Sequence, residues 1–198
     1  MGWGEKLGRY LSEALAEQGV IGSDDVELYA YGLNVGIDTT IGFLLCFLFG
    51  CVFHRPFESV LYSVIFFIIR TRAGGFHFTS SMICFWFSMI LDLFAIYMIG
   101  PLASNLNNWI MIATLIGSFI CIWVLSPVET PNKPLDEKEK KVYGKQAKFM
   151  WLIATILVLI LFSLGIRTFA AAGLLAILLV SVLVIAGAIA NMREKKSS

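Results

Sequence analysis

Hydrophobic residues occur along this chain in long, nearly uninterrupted blocks that are separated by short polar segments. Blocks of this length, without strand-like alternation, are typical of helices that cross a membrane. The pattern predicts an all-α polytopic membrane protein with about six transmembrane helices in a membrane domain at residues 35–192. The predicted spans cover residues 36–53, 57–69, 82–99, 109–125, 149–166 and 169–190.

The second predicted span is short. It holds about 13 residues between Pro56 and Arg70, which corresponds to about 20 Å of helix. A hydrocarbon core is about 30 Å thick. Either the helix continues through Arg70 and Arg72, whose side chains then reach back to the surface, or the polar segment that follows dips into the membrane. Both alternatives place residues 70–84 at the membrane boundary.

Residues 1–34 form a separate N-terminal region with an amphipathic pattern. Its apolar residues recur at helical spacing on one face, opposite the charged residues Glu5, Lys6, Arg9 and Glu13. The apolar positions are Trp3, Leu7, Tyr10, Leu11 and Ala14. Such a helix is expected to lie on the inner leaflet or to pack against the membrane domain. An ordinary solvated helix that is docked to the bundle explains the pattern equally well.

Composition and charge support the membrane interpretation and add an orientation. With 58% hydrophobic residues, 15% charged residues and a mean hydropathy of +0.81, the chain does not match a soluble domain. If both termini are cytoplasmic, thirteen of the fifteen lysines and arginines lie on the cytoplasmic side, and only Arg55 and Arg167 lie outside. Cytoplasmic loops carry an excess of these residues. The basic loop 126–148, the tail 193–198 and the segment 70–81 are therefore predicted to be cytoplasmic.

The cysteines do not indicate a metal site. Four cysteines show no paired CxxC spacing and are accompanied by only two histidines, so a structural zinc site is not expected. Cys46, Cys51 and Cys121 lie in apolar blocks and are interpreted as small buried hydrophobic residues. No cofactor and no nucleic-acid partner is expected, whereas membrane lipids surround the spans.

The segment RTRAGGFHFTSSMIC, residues 70–84, concentrates polar and ionisable groups between two apolar blocks. Such groups are costly at membrane depth and indicate a functional site. His77 and Cys84 suggest a base and a thiolate nucleophile. On one straight helix they would stand about 10.5 Å apart along the axis, whereas a dyad needs about 3 Å or one intervening water.

A break in the helix removes this conflict. Gly74 and Gly75 permit a sharp reversal of the chain. We therefore predict that the third span begins at or after Thr79, that Ser80 or Ser81 caps it, and that Cys84 lies in its first turn. The His77 ring is then expected within about 4 Å of the Cys84 sulfur. A homodimer in which each copy supplies the histidine to the other is an alternative.

Two acidic residues lie inside predicted spans, where an unpaired carboxylate is costly. Either Asp38 or Asp92 could orient His77. Asp92 follows Cys84 by eight residues, about 12 Å along the helix, so direct contact with the dyad is not expected. Structural hydrogen bonds are the favoured interpretation for both.

The motif R-x-x-x-G-G-x-H, followed seven residues later by cysteine, resembles the accessory gene regulator B (AgrB) family. The matching residues are Arg70, Gly74, Gly75, His77 and Cys84. The loop PVETPNKPL, residues 127–135, is a second resemblance, with Glu129 where family members usually carry aspartate. The resemblance implies a membrane cysteine endopeptidase of quorum sensing. Its partner would be an AgrD-like propeptide with an acidic tail, which is cleaved and then cyclised to a thiolactone or lactone.

Within this interpretation, His77 and Cys84 are the catalytic residues, and basic residues beside them are expected to hold the acidic propeptide. The expected substrate-binding positions are Arg70, Arg72, Gly74, Gly75, Lys133, Lys138, Lys140 and Lys141. Two other functions fit the hydropathy pattern. One is a small membrane transporter or peptide-export component, which would use Asp38, Asp92 and the second span. The other is a scaffold without enzymatic activity.

Overall fold

A computed structural model describes residues 3–76, 78, 80–129 and 135–197 of the chain. Helices dominate this part of the chain, as the hydropathy pattern predicts, and the connections between them are short. The helices are α1 (Trp3–Glu17), α2 (Val26–Val52), α3 (Pro56–Ala73), α4 (Ser81–Asn105), α5 (Asn108–Leu125), α6 (Glu137–Ser163) and α7 (Arg167–Ser197). A short 3₁₀ turn, Ser23–Asp25, precedes α2.

Among the described residues, five helices are long and apolar enough to cross a membrane. They are α2, α4, α5, α6 and α7. Helix α3 has only 18 residues and includes Glu58, Arg70 and Arg72, so it lacks the hydropathy of the others. The all-α polytopic architecture is confirmed, whereas a membrane-spanning role for α3 stays a prediction.

Helix α7 lies at the centre of the bundle and packs against α3, α4, α5 and α6. Small residues make this possible because they let neighbouring helices approach closely. Ala170, Ala171, Ala172 and Ala176 are fully buried. At Gly173, an added Cβ would lie only 2.6 Å from Val158 of α6, so the absence of a side chain is required there.

The N-terminal helix α1 docks on α2 through a face of small residues. Gly4, Gly8 and Ser12 are spaced by four residues and are buried, and a Cβ on Gly8 would lie 2.8 Å from the Ala30 carbonyl oxygen. Leu7 and Tyr10, on the predicted apolar stripe, are 47% and 69% exposed. The stripe therefore points away from α2, where it is free to contact a membrane surface.

Candidate active site

The chain reverses between α3 and α4 at the glycine pair. Gly74 has φ +71° and Gly75 has φ +130°, conformations that residues with a side chain rarely adopt. Helix α4 then begins at Ser81, as the sequence predicts, and Cys84 lies in its first turn. Ser80 occupies the N-cap position, as predicted, although its side chain makes no capping hydrogen bond. The Cys84 backbone N–H donates to the Ser80 carbonyl at 3.0 Å, which excludes it as an oxyanion donor.

Helix α3 continues through Arg70 and Arg72 and ends at Ala73. The helical part of the first alternative is therefore observed, but the Arg70 side chain bonds to the carbonyls of Gly74 and Phe76 and does not reach the surface. Where the membrane boundary lies stays a prediction. His77, Thr79 and Lys133 lie outside the described residues. The expected approach of the His77 ring to the Cys84 sulfur is therefore untested and stays a prediction.

The reversed segment 74–76 is held against two distant parts of the chain. The Phe76 N–H donates to the Leu183 carbonyl of α7 at 2.8 Å, and the Val128 N–H donates to the Ala73 carbonyl at 2.9 Å. Gly74 also forms a bridge with Val128. Val128 belongs to the loop motif at 127–135, so the two motifs noted in the sequence are in direct contact.

A glycine of α7 lies directly beneath this segment. An added Cβ on Gly187 would lie 2.5 Å from backbone atoms of Gly75 and Phe76. Any larger residue at this position would push the segment away from α7. Gly187 therefore determines how deeply the reversed segment is seated.

Arg70 fastens the same segment from within α3. Its guanidinium donates to the carbonyl oxygens of Gly74 and Phe76, the latter at 2.5 Å. The guanidinium also lies within electrostatic range of Cys84. Arg70 thus holds the loop and places a positive charge near the thiol.

A cavity of about 610 Å³ lies between α2, α3, α4 and the segment after Ser126. Arg70, Arg72, Gly74 and Cys84 all line it, so the structure brings four of the predicted site residues together. Gly75 is buried between Arg70 and α7 and does not line this cavity. A concave, partly apolar site with a few convergent polar groups is what a bound peptide requires.

The far end of the cavity is polar but buried. The Tyr62 hydroxyl donates to the Asp92 carboxylate at 2.7 Å, and both side chains are nearly inaccessible to solvent. This bond joins α3 to α4 and confirms the structural role favoured for Asp92. Asp38 also lines the cavity, on α2.

At the other end, Arg72 is exposed and its guanidinium carbon lies 5.7 Å from the centre of the Tyr143 ring. This distance is typical of a cation–π contact. Tyr143, which the sequence did not single out, lines the cavity together with Arg72. The pair therefore places a positive charge at the C-terminal end of α3.

Three described lysines of the basic loop, Lys138, Lys140 and Lys141, lie near the start of α6. Asp136 and Glu139 form a reciprocal cap that starts this helix, with bonds of 2.6 and 3.1 Å. Lys138 and Lys141 are exposed. Lys140 instead pairs with Glu129 at 2.6 Å and with Glu137 at 3.1 Å. Its charge is largely compensated within the protein.

Besides Tyr143, sequence reasoning missed Leu183, Gly187 and Tyr62. Leu183 contributes its backbone carbonyl. Every residue has such a group, so the sequence contains no signal for this contribution. Gly187 occurs in an apolar block where small residues are common. For Tyr62, a signal existed, since a tyrosine and an aspartate that both lie inside apolar blocks are natural hydrogen-bond partners.

Comparisons with known proteins agree with the motif resemblance. The family model described as Accessory gene regulator B matches residues 5–185. An AgrB-like protein of Clostridium perfringens strain SM101 is 24% identical over 167 residues, which cover 80% of this chain and 78% of the relative. An AgrB-like protein of Listeria monocytogenes serotype 4a is 25% identical over 142 residues, or 70% and 69% of the two chains. No solved structure matches.

Proposed function

Since the chain belongs to the AgrB family, which supports a role in the agr quorum-sensing system, we propose that it is a membrane-embedded cysteine endopeptidase. It would remove the acidic C-terminal tail of an AgrD-like propeptide and promote cyclisation of the remaining peptide. The observation that best supports this proposal is the placement of Cys84 in the first turn of α4, in a cavity that Arg70 and Gly74 of the same motif also line.

The proposed reaction has two acyl transfers. His77 takes the Cys84 proton, and the sulfur attacks the carbonyl carbon at the junction of signal and tail. The amide C–N bond breaks, His77 returns the proton to the leaving amine, and a thioester to Cys84 remains. An internal cysteine or serine of the peptide, deprotonated by His77, then attacks the thioester carbonyl. The ring closes, and Cys84 leaves as a thiolate that His77 reprotonates.

The surroundings of Cys84 suit this chemistry. Phe78, Phe85 and Met89 line the cavity near the thiol and limit the water that could hydrolyse the thioester. Arg70 places a positive charge near the sulfur. The reversed segment before His77 is held by Arg70, Leu183 and Val128, which restricts where the histidine can be. This restriction favours one reactive geometry.

The location follows from the charge distribution. We propose a multi-pass protein of the cell membrane with both termini cytoplasmic and the active site at the cytoplasmic face. In this orientation the acidic tail of the propeptide would approach from the same side as Arg72 and the lysines of α6.

Trapping the acyl-enzyme tests the proposed function. A synthetic propeptide whose internal nucleophile is replaced by alanine cannot complete the second transfer. The purified protein in detergent should then gain the mass of the propeptide minus its tail, on Cys84, and hydroxylamine should remove this mass. Intact-protein and peptide mass spectrometry measure both. Absence of the adduct, together with absence of released tail from the unaltered propeptide, would refute the peptidase.

The lysines of the basic loop 126–148 should govern affinity and not the chemical step. Replacing Lys133, Lys138 and Lys141 together with glutamine should raise KM about five- to tenfold and change kcat less than twofold, since exposed charges each contribute a few tenths of a kcal/mol to about 1 kcal/mol. Lys140 is left unchanged because Glu129 and Glu137 already pair with it.

The matched control is the triple glutamine variant of Arg193, Lys195 and Lys196, which removes the same charge from the C-terminal tail. It should keep KM within about twofold of the wild type. High salt should diminish the difference between the two triple variants, because it screens exposed charges. Equal KM values for both variants at low salt would show that the loop lysines only set topology.

A further inference from the structure

The last helix, α7, contributes one of its sides to the site. Leu183, Gly187 and Asn191 are spaced by four residues within α7, so they fall on the same side of the helix. Neighbouring members of this set lie about 6 Å apart along the axis. We call the three residues the α7 platform. None of them belongs to the two motifs noted in the sequence, yet each contacts a segment that carries one of those motifs.

The first two members of the platform contact the reversed segment. The Leu183 carbonyl accepts the hydrogen bond from the Phe76 N–H, and a Cβ on Gly75 would lie 2.8 Å from the same oxygen. Gly187 has no side chain, and an added Cβ would lie 2.5 Å from the carbonyl carbon of Gly75. The backbone of the reversed segment therefore rests directly on α7, with no room for a side chain between them.

The third member contacts the loop motif. The Asn191 side-chain amide donates to the Glu129 carbonyl oxygen at 2.8 Å. The Glu129 carboxylate lies 2.6 Å from the Lys140 ammonium group of α6, and both side chains are more than one third exposed. An exposed ion pair contributes little to holding a loop in place. Asn191, which binds the backbone itself, therefore provides the more direct restraint at this position.

The restraint on Glu129 reaches the reversed segment through the preceding residue. The Val128 N–H donates to the Ala73 carbonyl at 2.9 Å, and Val128 forms the bridge with Gly74. A Cβ on Gly74 would overlap the Val128 carbonyl oxygen, so these two backbones are in close contact. The reversed segment thus lies between two supports, which are α7 itself and the loop residues that Asn191 attaches to α7.

We propose that Gly187 and Asn191 are positioning residues for the cleavage reaction, which act by holding the reversed segment at a fixed place beside the cavity. Gly74 of this segment lines the cavity together with Cys84. A displacement of about 1 Å around a reacting group can slow a reaction about 100-fold. The α7 platform therefore affects the rate of acyl transfer without contacting the propeptide. The inference rests on the proposed function.

The Gly187→Ala variant tests how the reversed segment is seated. Its methyl group requires that Gly75 and Phe76 move away from α7. In the purified full-length protein with the unaltered synthetic propeptide, kcat should fall about 100-fold and KM should stay within about twofold of the wild type. Alanine forms helices better than glycine, so a weakened α7 would not explain this loss. Gly117→Ala is the matched control and should keep kcat within about twofold, since a Cβ at Gly117 meets no packed neighbour within 4 Å among the described residues.

The Asn191→Leu variant tests how the loop is supported. Leucine has a similar size but does not donate to the Glu129 carbonyl, so kcat should fall about tenfold while KM stays within about twofold of the wild type. Asn191→Gln keeps an amide donor and should recover part of this loss. Asn105→Leu is the matched control and should keep kcat within about twofold. Asn105 also donates to a backbone carbonyl, that of Pro101 at 2.8 Å, but at the other end of α4 from Cys84.

Amide hydrogen exchange, measured by mass spectrometry without propeptide, separates positioning from a general structural role. The Val128 amide should exchange about fivefold faster or more in Asn191→Leu, because its hydrogen bond loses its geometry. The Phe76 amide should respond in the same way in Gly187→Ala. Exchange in α5 should stay within about twofold of the wild type. Faster exchange throughout the bundle would indicate lost stability and would overturn the inference.

Wild-type kcat in either variant would overturn the inference, and so would a lowered kcat without faster exchange at the two amides. Should Gly187→Ala not accumulate as a folded protein, Asn191→Leu and Asn191→Gln decide. If Cys84→Ala is inactive while both platform variants keep the wild-type kcat, the peptidase proposal stands and only the role of the α7 platform fails. If Cys84→Ala still cleaves, both proposals fail.

Discussion

Replacing Cys84 with alanine should abolish release of the propeptide tail, and replacing His77 with alanine should do the same. Without the sulfur no thioester forms, and without the base the thiol remains protonated and the leaving amine receives no proton. Both proteins should still insert in the membrane, because neither substitution shortens the apolar blocks that form the spans, and Cys84 does not belong to the buried core around α7. Co-expression with the propeptide, a gel of the released tail and quantification of the membrane protein measure both effects.

The other cysteines provide the control. Cys46, Cys51 and Cys121 should each tolerate alanine, with tail release within a few-fold of the wild type. Cys121 donates to the Ser181 carbonyl at 3.3 Å, so its replacement costs stability before it costs activity. Wild-type cleavage by Cys84→Ala, or loss of cleavage through Cys51→Ala alone, would contradict the assignment of the nucleophile.

Replacing Arg70 with methionine should lower kcat by about 100-fold or more, since small displacements of a catalytic group can have effects of that size. The variant leaves the carbonyls of Gly74 and Phe76 without their donors and removes the positive charge near Cys84. An unpaired buried acceptor costs about 1–3 kcal/mol, so the segment before His77 should shift to find new partners. Steady-state kinetics on purified protein provide kcat and KM.

Two further variants, Arg70→Lys and Arg72→Met, make this test more specific. Arg70→Lys should recover little, because an ammonium group does not reproduce the planar fork that reaches two carbonyls. Arg72→Met is the matched control on the same helix; Arg72 is exposed over Tyr143, so its loss should change mainly KM. If Arg70→Met raises KM and leaves kcat unchanged, Arg70 grips the propeptide tail instead of holding the loop.

Helix boundaries show where hydropathy patterns succeed and where they stop short. The pattern placed the fifth span at 149–166, whereas α6 begins at Glu137. The extra turns carry charged residues that no apolar pattern marks, and the reciprocal cap of Asp136 and Glu139 starts them. A cap of this kind is readable from the spacing of two side chains. A hydropathy pattern alone does not take this capping signal into account.

The short second span illustrates a second limit. From the sequence, Arg70 and Arg72 could end the helix or extend it. In the structure, α3 extends through both arginines. The loop carbonyls accept hydrogen bonds from the Arg70 guanidinium, and Arg72 is exposed near Tyr143. The partners that decide this lie in a loop and in another helix. A local pattern does not contain them.

By itself, the sequence determined the all-α membrane character, the chain reversal at Gly74 and Gly75, and the position of Cys84 at the start of a helix. These features depend on apolar block length, on the conformational freedom of glycine and on the spacing of two reactive side chains, all of which are local. Only the tertiary structure decided what meets at the site. Val128 and Leu183 hold the reversed segment, and Asp38 lines the same cavity as Cys84. These residues are separated by tens of positions in the chain, and helix packing brings them together.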